Sequence, residues 1–349
     1  MPSNNAEKPI RYIVRRVGQA ILVWFLIITV NFFIFRIMPG DPRASLISEH
    51  MPPDVRQGIV ERFGLDRPIL EQFFLYIANL FRFEIGAINI LGHDVPVPIW
   101  TPDLGISFSY FGQSVYYTIF HHRFMNTVLL MGVSLVISIA IGMVMGVLAA
   151  AKRGSKADTG STIAFLVAYS IPVFWIGLLL LVVFGYHLQL IPIAGTITRG
   201  YDHINFLDYV RDYSWHMVGP AIVLVLSFIG GFYLIMRDSV LDVFTQDYML
   251  AAEAKGLKRK TILYKHAMRN AMLPMVSVIA VNLPYLISGA IMTEFVFTWQ
   301  GLGLLTYNAV LSNDYPVLQG IFLFLATITV VANLAADILY LYLDPRIRY

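Results

Sequence analysis

DYMLAAEAKGLKRKTILYKHAMRNAMLP, residues 247–274, is a basic, alanine-marked segment that separates two hydrophobic spans of the chain. Residues 247–255 are rich in strong helix formers. An acid at their start and a lysine at their end suit the helix dipole. Gly256 follows, and glycine is the residue best suited to leave a helix through a left-handed turn. The segment therefore predicts a short helix that ends in a turn.

A second helical pattern follows the turn. One of its faces carries Leu263, Ala267 and Ala271, and another carries Lys258, Lys265 and Arg269. The small side chains of the first helix, Ala251, Ala252 and Ala254, allow it to sit deep in the groove of a partner protein. A basic helix lying on anionic lipid fits the same pattern, so the residues alone leave both interpretations open.

The composition indicates an integral membrane protein. Of the 349 residues, 57% are hydrophobic and 13% are charged, with a mean hydropathy of +0.67. These values exclude an ordinary soluble domain and a disordered chain. The chain has no cysteine, which excludes disulfides, a thiol nucleophile and cysteine metal sites. A net charge of +3 gives no support for nucleic-acid binding.

Several apolar stretches are long enough to cross a hydrocarbon core of ~30 Å, which takes ~20 residues. We predict an all-α integral membrane fold with six transmembrane helices, near residues 14–36, 125–150, 161–186, 216–236, 273–297 and 318–342. The first apolar run is too long for a cleaved signal peptide, and no small-residue cleavage site follows it. We interpret it as a retained signal-anchor span.

The basic residues predict the orientation. Most of those outside the spans fall before the first span, at 152–156, in the 237–272 loop and at the end of the chain. Both termini and this loop are therefore expected in the cytoplasm. The chain then divides into 1–36 (cytoplasmic N-terminus and first helix), 37–122 (external segment) and 123–349 (five-helix core containing the loop).

The external segment contains two recognisable parts. Pro68 is a plausible helix start, and Ile69, Phe73, Ile77 and Leu80 then fall on one face. Residues 68–81 are therefore predicted to form an amphipathic helix. Residues 86–102, GAINILGHDVPVPIWTP, are rich in glycine and proline and predict an irregular external loop.

Motifs that carry catalytic chemistry are missing from the sequence. It contains no P-loop, no HExxH and no GxSxG stretch. His121 and His122 are adjacent, so their side chains diverge and do not predict a metal site. We expect no catalytic residues, no metal and no cofactor in this chain.

Polar, glycine and proline residues within the spans have packing roles as well as possible transport roles. Asn31, Ser170, Asn282 and Ser288 are candidates to line a pathway, or they hold helices together. Glu294 and Asp337 lie close enough to an interface for hydration or a local hydrogen bond to explain them. Gly142 and Gly146 form a GxxxG pair. Pro172 and Pro284 are expected to kink their helices.

Short motifs lie along nearly the whole chain. They are, in order, Arg36-Ile37-Met38-Pro39-Gly40-Asp41-Pro42, Phe63-Gly64-Leu65-Asp66-Arg67-Pro68, Asp103-Leu104-Gly105-Ile106-Ser107, Ser170-Ile171-Pro172-Val173-Phe174-Trp175, Ala254-Lys255-Gly256, Gly301-Leu302-Gly303, Asp314-Tyr315-Pro316-Val317 and Asp344-Pro345-Arg346-Ile347-Arg348-Tyr349. In this order and spacing they resemble the permease subunits of ABC importers of the dipeptide/oligopeptide class. The extended external region resembles the first of the two permease types that such importers pair.

The resemblance implies that the segment is a coupling helix between the fourth and fifth transmembrane helices, docking on an ATPase. The residues it implicates are Asp247, Tyr248, Leu250, Ala251, Ala252, Ala254, Lys255 and Gly256. Leu250, Ala251 and Ala252 take the places of the general Glu-Ala-Ala motif. The acid is therefore absent, and Leu273-Pro274 lies further beyond Gly256 than in the general pattern. Both departures resemble the peptide class.

The resemblance also implies the machinery. The expected partners are a second, paralogous permease, two ATP-binding subunits that hold ATP and Mg, and an external solute-binding protein, in the cytoplasmic (inner) membrane. The implied solute is a peptide, with an oligosaccharide or a nickel chelate as alternatives. A self-sufficient secondary carrier explains the spans equally well but leaves the basic loop without a role. An intramembrane enzyme lacks a nucleophile–base pair or metal constellation.

Overall fold

The computed structural model describes residues 7–37, 47, 51–90, 93–110, 113–121, 123–258, 261–282 and 290–343. The fold is predominantly helical. Its helices are α1 Glu7–Ile37, α2 Pro53–Phe63, α3 Ile69–Leu80, α4 Val115–Phe120, α5 Arg123–Ala151, α6 Lys156–Ser170, α7 Val173–Leu180, α8 Phe206–Phe244, α9 Asp247–Ala254, α10 Met268–Asn282, α11 Ile291–Val296, α12 Leu302–Leu311 and α13 Tyr315–Leu343. π-Helical turns follow α7 over Leu181–His187 and precede α10 over Ile262–Ala267.

Four helical stretches within the described residues are long and apolar enough to cross a membrane. They are Arg11–Arg36, Val115–Ala151, Phe206–Phe244 and Tyr315–Ile338. Lys156–Ser170 and Val173–His187 form a bent pair that makes a fifth span if the two parts count as one. The predicted span at 273–297 is described only in part, because residues 283–289 lie outside the described residues. The number six therefore stays a prediction.

The third predicted span, 161–186, is not a single kinked helix. α6 ends at Ser170, Pro172 precedes the first residue of α7, and the two helices meet at 96°. Proline removes a backbone N–H donor and disfavours the helical conformation of the residue before it, so Ile171 leaves the helix. Its fixed φ then suits the position just before the next helix. Pro284, the other expected kink, lies outside the described residues.

The prediction of an irregular loop at 86–102 is wrong. Strands β1 Phe83–Ile90 and β2 His93–Trp100 pair antiparallel, with Phe83 opposite Trp100 and Ile90 opposite His93. β-Branched residues at alternate positions favour strands. Pro96 and Pro98 are two residues apart, so their backbone nitrogens lie along the same edge of β2. A two-stranded ribbon has an outer edge where a missing N–H breaks no pairing.

The chain divides into two compact units, of which the first comprises residues 1–125, 305–341 and 345–349. Asn31 on α1 lies at its centre and donates hydrogen bonds to the Tyr76 hydroxyl (3.3 Å) and the Gln319 carbonyl (3.1 Å). Trp24 Nε1 donates to Thr327 Oγ1 at 2.9 Å. These bonds tie α1 to α3 and α13, because a buried polar group needs a partner.

Helix α3 confirms the amphipathic helix predicted over 68–81, but with a different buried face. Phe73 and Leu80 are buried as expected, whereas Ile69 is 43% exposed. Gln72 and Tyr76 complete the buried side. The buried face of α3 therefore differs from the apolar face that the sequence predicts. It includes Gln72 and Tyr76, because their polar groups can form hydrogen bonds inside the unit.

The second unit comprises residues 126–304 and 342–344. Within it, α5 and α8 approach closely at the predicted GxxxG pair. A Cβ on Gly142 would lie 2.8 Å from Phe232 Cβ, and one on Gly146 would lie 2.7 Å from the Tyr233 carbonyl oxygen. No larger side chain fits at these distances. The sequence prediction of close helix approach is confirmed here.

Candidate docking site

The segment singled out in the sequence folds as a short helix followed by a left-handed turn. α9 spans Asp247–Ala254 and begins three residues after α8 ends at Phe244. Gly256 has φ +70, and a Cβ there would meet no atom within 4 Å. Glycine is thus favoured by the backbone angle rather than by crowding. The helix and the turn predicted from residues 247–256 are both present.

α9 has one face turned into its own unit. Met249 (1% exposed) and Ala252 (5% exposed) pack with Ile262 and Ala267 in a small apolar cluster. Val243 and Phe244 at the end of α8 border the same cluster. Apolar packing of this kind holds a short helix that could not be stable alone. α9 is therefore fixed both to the end of α8 and to the helical turns that lead into α10.

The opposite face of α9 is open. Ala251, Ala254 and Lys255 are exposed, and Tyr248 is 42% exposed on the same helix. We call the exposed residues Asp247, Tyr248, Ala251, Ala254, Lys255 and Gly256 the docking face. Its centre carries only small side chains, so a partner can approach the backbone closely. A surface of this kind suits a partner that fits it by shape.

Two of the implicated coupling residues lie elsewhere or are not described. Ala252 is in the buried cluster and not on the docking face. Leu250 belongs to α9, but its side chain lies outside the description. Met249, which the sequence reasoning missed, anchors the helix. Its signal in the sequence is its spacing of three from Ala252, which places both on one helical face.

Tyr248 connects the docking face to α10. Its hydroxyl accepts a hydrogen bond of 2.7 Å from Asn270 Nδ2. The predicted apolar face is also present, since Leu263, Ala267 and Ala271 are all buried. Of the predicted basic face, Lys258 and Arg269 are exposed, and the side chain of Lys265 lies outside the description.

Glu294 forms a buried polar centre in the second unit. It is fully buried; Thr127 Oγ1 donates to Oε1 at 2.8 Å, and the Leu304 amide donates to Oε2 at 3.0 Å. A Cβ on Gly303 would lie 2.9 Å from Oε2, and one on Gly301 would collide with it. The carboxylate thus caps the start of α12, and the motif Gly301-Leu302-Gly303 leaves room for it.

The side chains predicted to line a pathway either bond within their own unit or are not described. Asn31 is held between Tyr76 and Gln319, as given above. Ser170 is exposed and donates to the Leu166 carbonyl of its own helix at 2.7 Å. Asn282 ends α10 with its side chain outside the description, and Ser288 lies outside the described residues. The pathway set stays a prediction.

The remaining titratable candidates have local partners. Asp337 is 3.3 Å from Arg16, and both side chains are partly exposed. His121 stacks on Tyr117 with ring centroids 4.3 Å apart, and His122 lies outside the described residues. In the part of the chain that the structure describes, no group of three His, Cys, Asp or Glu residues is placed to hold a metal.

The fold and the site define a multi-pass membrane protein with an exposed helix at the end of its longest apolar helix. The family described as binding-protein-dependent transport system inner membrane component matches residues 142–349. The corresponding N-terminal family of such membrane components matches residues 9–131. The chain belongs to the family of binding-protein-dependent transport system inner membrane components.

Three relatives illustrate this membership. The oligopeptide transport system permease protein AppB of Bacillus subtilis is 33% identical to this chain. The alignment covers 97% of this chain and 99% of the length of AppB. The dipeptide transport system permease protein DppB of Escherichia coli K12 is 33% identical with the same coverage. The di/tripeptide transport system permease protein DppB of Pseudomonas aeruginosa is 31% identical, over 97% of this chain and 98% of its own.

Proposed function

We propose that this chain forms one half of the membrane pathway of an ATP-driven peptide importer. A second, paralogous permease completes the pathway, and an external solute-binding protein delivers the peptide. The observation that carries the proposal is the docking face on α9, small and exposed outside but anchored by Met249 and Ala252 inside. Relatives named as oligopeptide, dipeptide and di/tripeptide permeases support a peptide as the solute.

In this proposal the energy source lies on partner subunits. Two ATP-binding subunits in the cytoplasm hold the ATP and Mg, as the family resemblance implies, and the chain itself has no phosphate-binding loop. Each pairs with one permease, and the docking face of α9 enters a groove on one of them. The membrane is the cytoplasmic, or inner, membrane, with 237–272 on the ATPase side.

The proposed mechanism uses α9 as a rigid element. When the ATP-binding subunits close, they displace α9, and the cluster of Met249 and Ala252 with Ile262 and Ala267 keeps the helix from rocking independently. The displacement passes into α8 through the link at 245–246 and into α10 through the Tyr248–Asn270 hydrogen bond. The pathway then changes the side on which it is open.

A mild-detergent purification of the tagged chain from its native membrane tests this proposal. We expect a second permease and P-loop ATPases to co-purify, and the reconstituted assembly to take up a labelled dipeptide only with ATP and the binding protein. A chain that is recovered alone, stable and monodisperse, and that takes up solute on an ion gradient, contradicts the proposal and supports a secondary carrier.

A further inference from the structure

A bidentate ion pair joins α6 to α8 near the end of α8 that leads into α9. Arg237 Nε lies 2.7 Å from Asp158 Oδ1, and Arg237 Nη2 lies 3.0 Å from Asp158 Oδ2. The Asp158 side chain is only 5% exposed, and its Oδ2 also accepts the Gly154 amide at 3.0 Å. A two-point contact between a planar guanidinium and a carboxylate resists rotation as well as separation.

The ion pair is the end of a longer ladder of contacts between the same two helices. The Tyr233 hydroxyl lies 2.9 Å from Ser161 Oγ and 2.9 Å from Thr162 Oγ1. One step further, a Cβ on Gly230 would lie 2.7 Å from the Phe165 carbonyl oxygen. The partners on α6 advance along the chain as those on α8 go back, so the two helices run antiparallel in direct contact.

The same turn of α8 also contacts α5. A Cβ on Gly146 would lie 2.7 Å from the Tyr233 carbonyl oxygen and 3.0 Å from the Arg237 amide nitrogen. The turn from Tyr233 to Arg237 therefore touches α5 through backbone and α6 through side chains. We call this turn the α8 hub.

The α8 hub connects the docking face with the bend at Pro172. α8 runs without a break from the hub to Phe244, and α9 begins at Asp247. α6 contacts the hub near its first residues and ends at Ser170, where it meets α7 at 96°. A displacement of α9 thus has a continuous route of packed helix and charge-assisted hydrogen bonds to the bend.

We infer that Asp158 and Arg237 are positioning residues for transport, which make α6 follow α8 when α9 is displaced. The inference rests on the proposed docking of α9 on an ATP-binding subunit. Without the ion pair, α6 and α8 would still be in contact at Tyr233 and Gly230. They would no longer be fixed against sliding past each other at the end of α8 that leads into α9. ATP closure would then move α8 with less movement of α6.

The test measures labelled dipeptide uptake and ATP hydrolysis in parallel, on importers reconstituted from the chain with its partner subunits. Asp158→Asn removes the charge at nearly constant size. We expect uptake per ATP hydrolysed to fall roughly tenfold, which lies within the usual range of a coupling free energy between two sites. The matched control is Asp238→Asn, because Asp238 contacts the same arginine at 3.1 Å but is 65% exposed. It should retain the wild-type ratio.

A second variant separates coupling from folding. Arg237→Lys keeps the charge but loses the two-point geometry. It should also lower the uptake per ATP hydrolysed. In the double variant, which combines Asp158→Asn and Arg237→Lys, this ratio should be no lower than in the poorer of the two single variants, since both substitutions remove the same contact. A wild-type ratio in Asp158→Asn, or a fall in uptake that only follows the amount of assembled complex, overturns the inference. If the wild-type assembly itself shows no ATP-driven uptake, the proposed function fails instead.

Discussion

Ala252 and Ala254 lie two residues apart in the sequence but on different sides of α9. Ala252 is packed in the cluster with Met249, whereas Ala254 is exposed on the docking face. The sequence, and the family resemblance with it, treats the alanines of this segment as one group. Only the packing partners, which come from Ile262 and Ala267 beyond the turn, distinguish an anchoring alanine from a docking one.

Tryptophan substitutions at these two positions should therefore fail in different ways. Ala254→Trp adds bulk to an exposed face, so we expect normal chain abundance and thermal stability but at least a tenfold loss of ATPase recovery in a pull-down. Ala252→Trp forces a large ring into a packed cluster, which costs about 1–3 kcal/mol or more. It should lower the Tm of the purified chain. Equal behaviour of the two variants in both assays contradicts the assigned faces.

Glu294 is the second residue whose role depends on its surroundings. Its position in the sequence allows a transport role or a structural one, and the geometry supports the structural one. Glu294→Gln keeps the size but replaces one acceptor oxygen with an NH2 donor, which must then face either the Leu304 amide or the Thr127 hydroxyl. We expect a loss of about 1–3 kcal/mol in stability, measured as a lower Tm in detergent, with uptake per assembled complex unchanged. Wild-type stability with lost uptake would indicate a pathway role.

At the scale of elements, the contact between α5 and α8 offers a matched comparison within one helix. Gly146 has no space for a Cβ, whereas a Cβ on Gly132 would meet no atom within 4 Å. Gly146→Val should lower the Tm because α5 and α8 must separate. Gly132→Ala should leave the Tm unchanged or raise it slightly, since alanine favours a helix. A Gly146→Val protein as stable as wild type contradicts the close contact.

The elements also show what the sequence predicts well and where it fails. Long apolar stretches predict α1, α5, α8 and α13, because length and hydropathy are local properties. The hairpin at 83–100 is missed because glycine and proline there suggest a loop. The paired residues lie only 3 to 17 positions apart, so the pairing is local and the alternation of Val95, Val97 and Ile99 is its signal in the sequence. The 96° turn at Pro172 exceeds the expected kink, since a proline in the sequence favours a kink or a break but does not set the angle between the two parts.

For the whole molecule, the distribution of basic residues predicts that the hairpin and α9 lie on opposite sides of the membrane. The natural chain has no cysteine, so single cysteines report the side without background. Ile85 is 84% exposed on β1, and Leu257 is 38% exposed just beyond Gly256.

Ile85→Cys should react with a membrane-impermeant thiol reagent in intact cells. Leu257→Cys should react only after the membrane is opened, and the unchanged chain should not react in either condition. Labelling of both positions in intact cells contradicts the predicted topology.

The central claim, that the open face of α9 rests on an ATP-binding subunit, has a direct test. A photoreactive thiol reagent attached at Ala254→Cys in the assembled complex should form a covalent adduct with an ATPase subunit, identified by mass spectrometry. The same reagent at Ile85→Cys should form none. An Ala254→Cys adduct that contains only lipid, with the ATPase present in the complex, would contradict the claim and support a basic segment lying on the membrane.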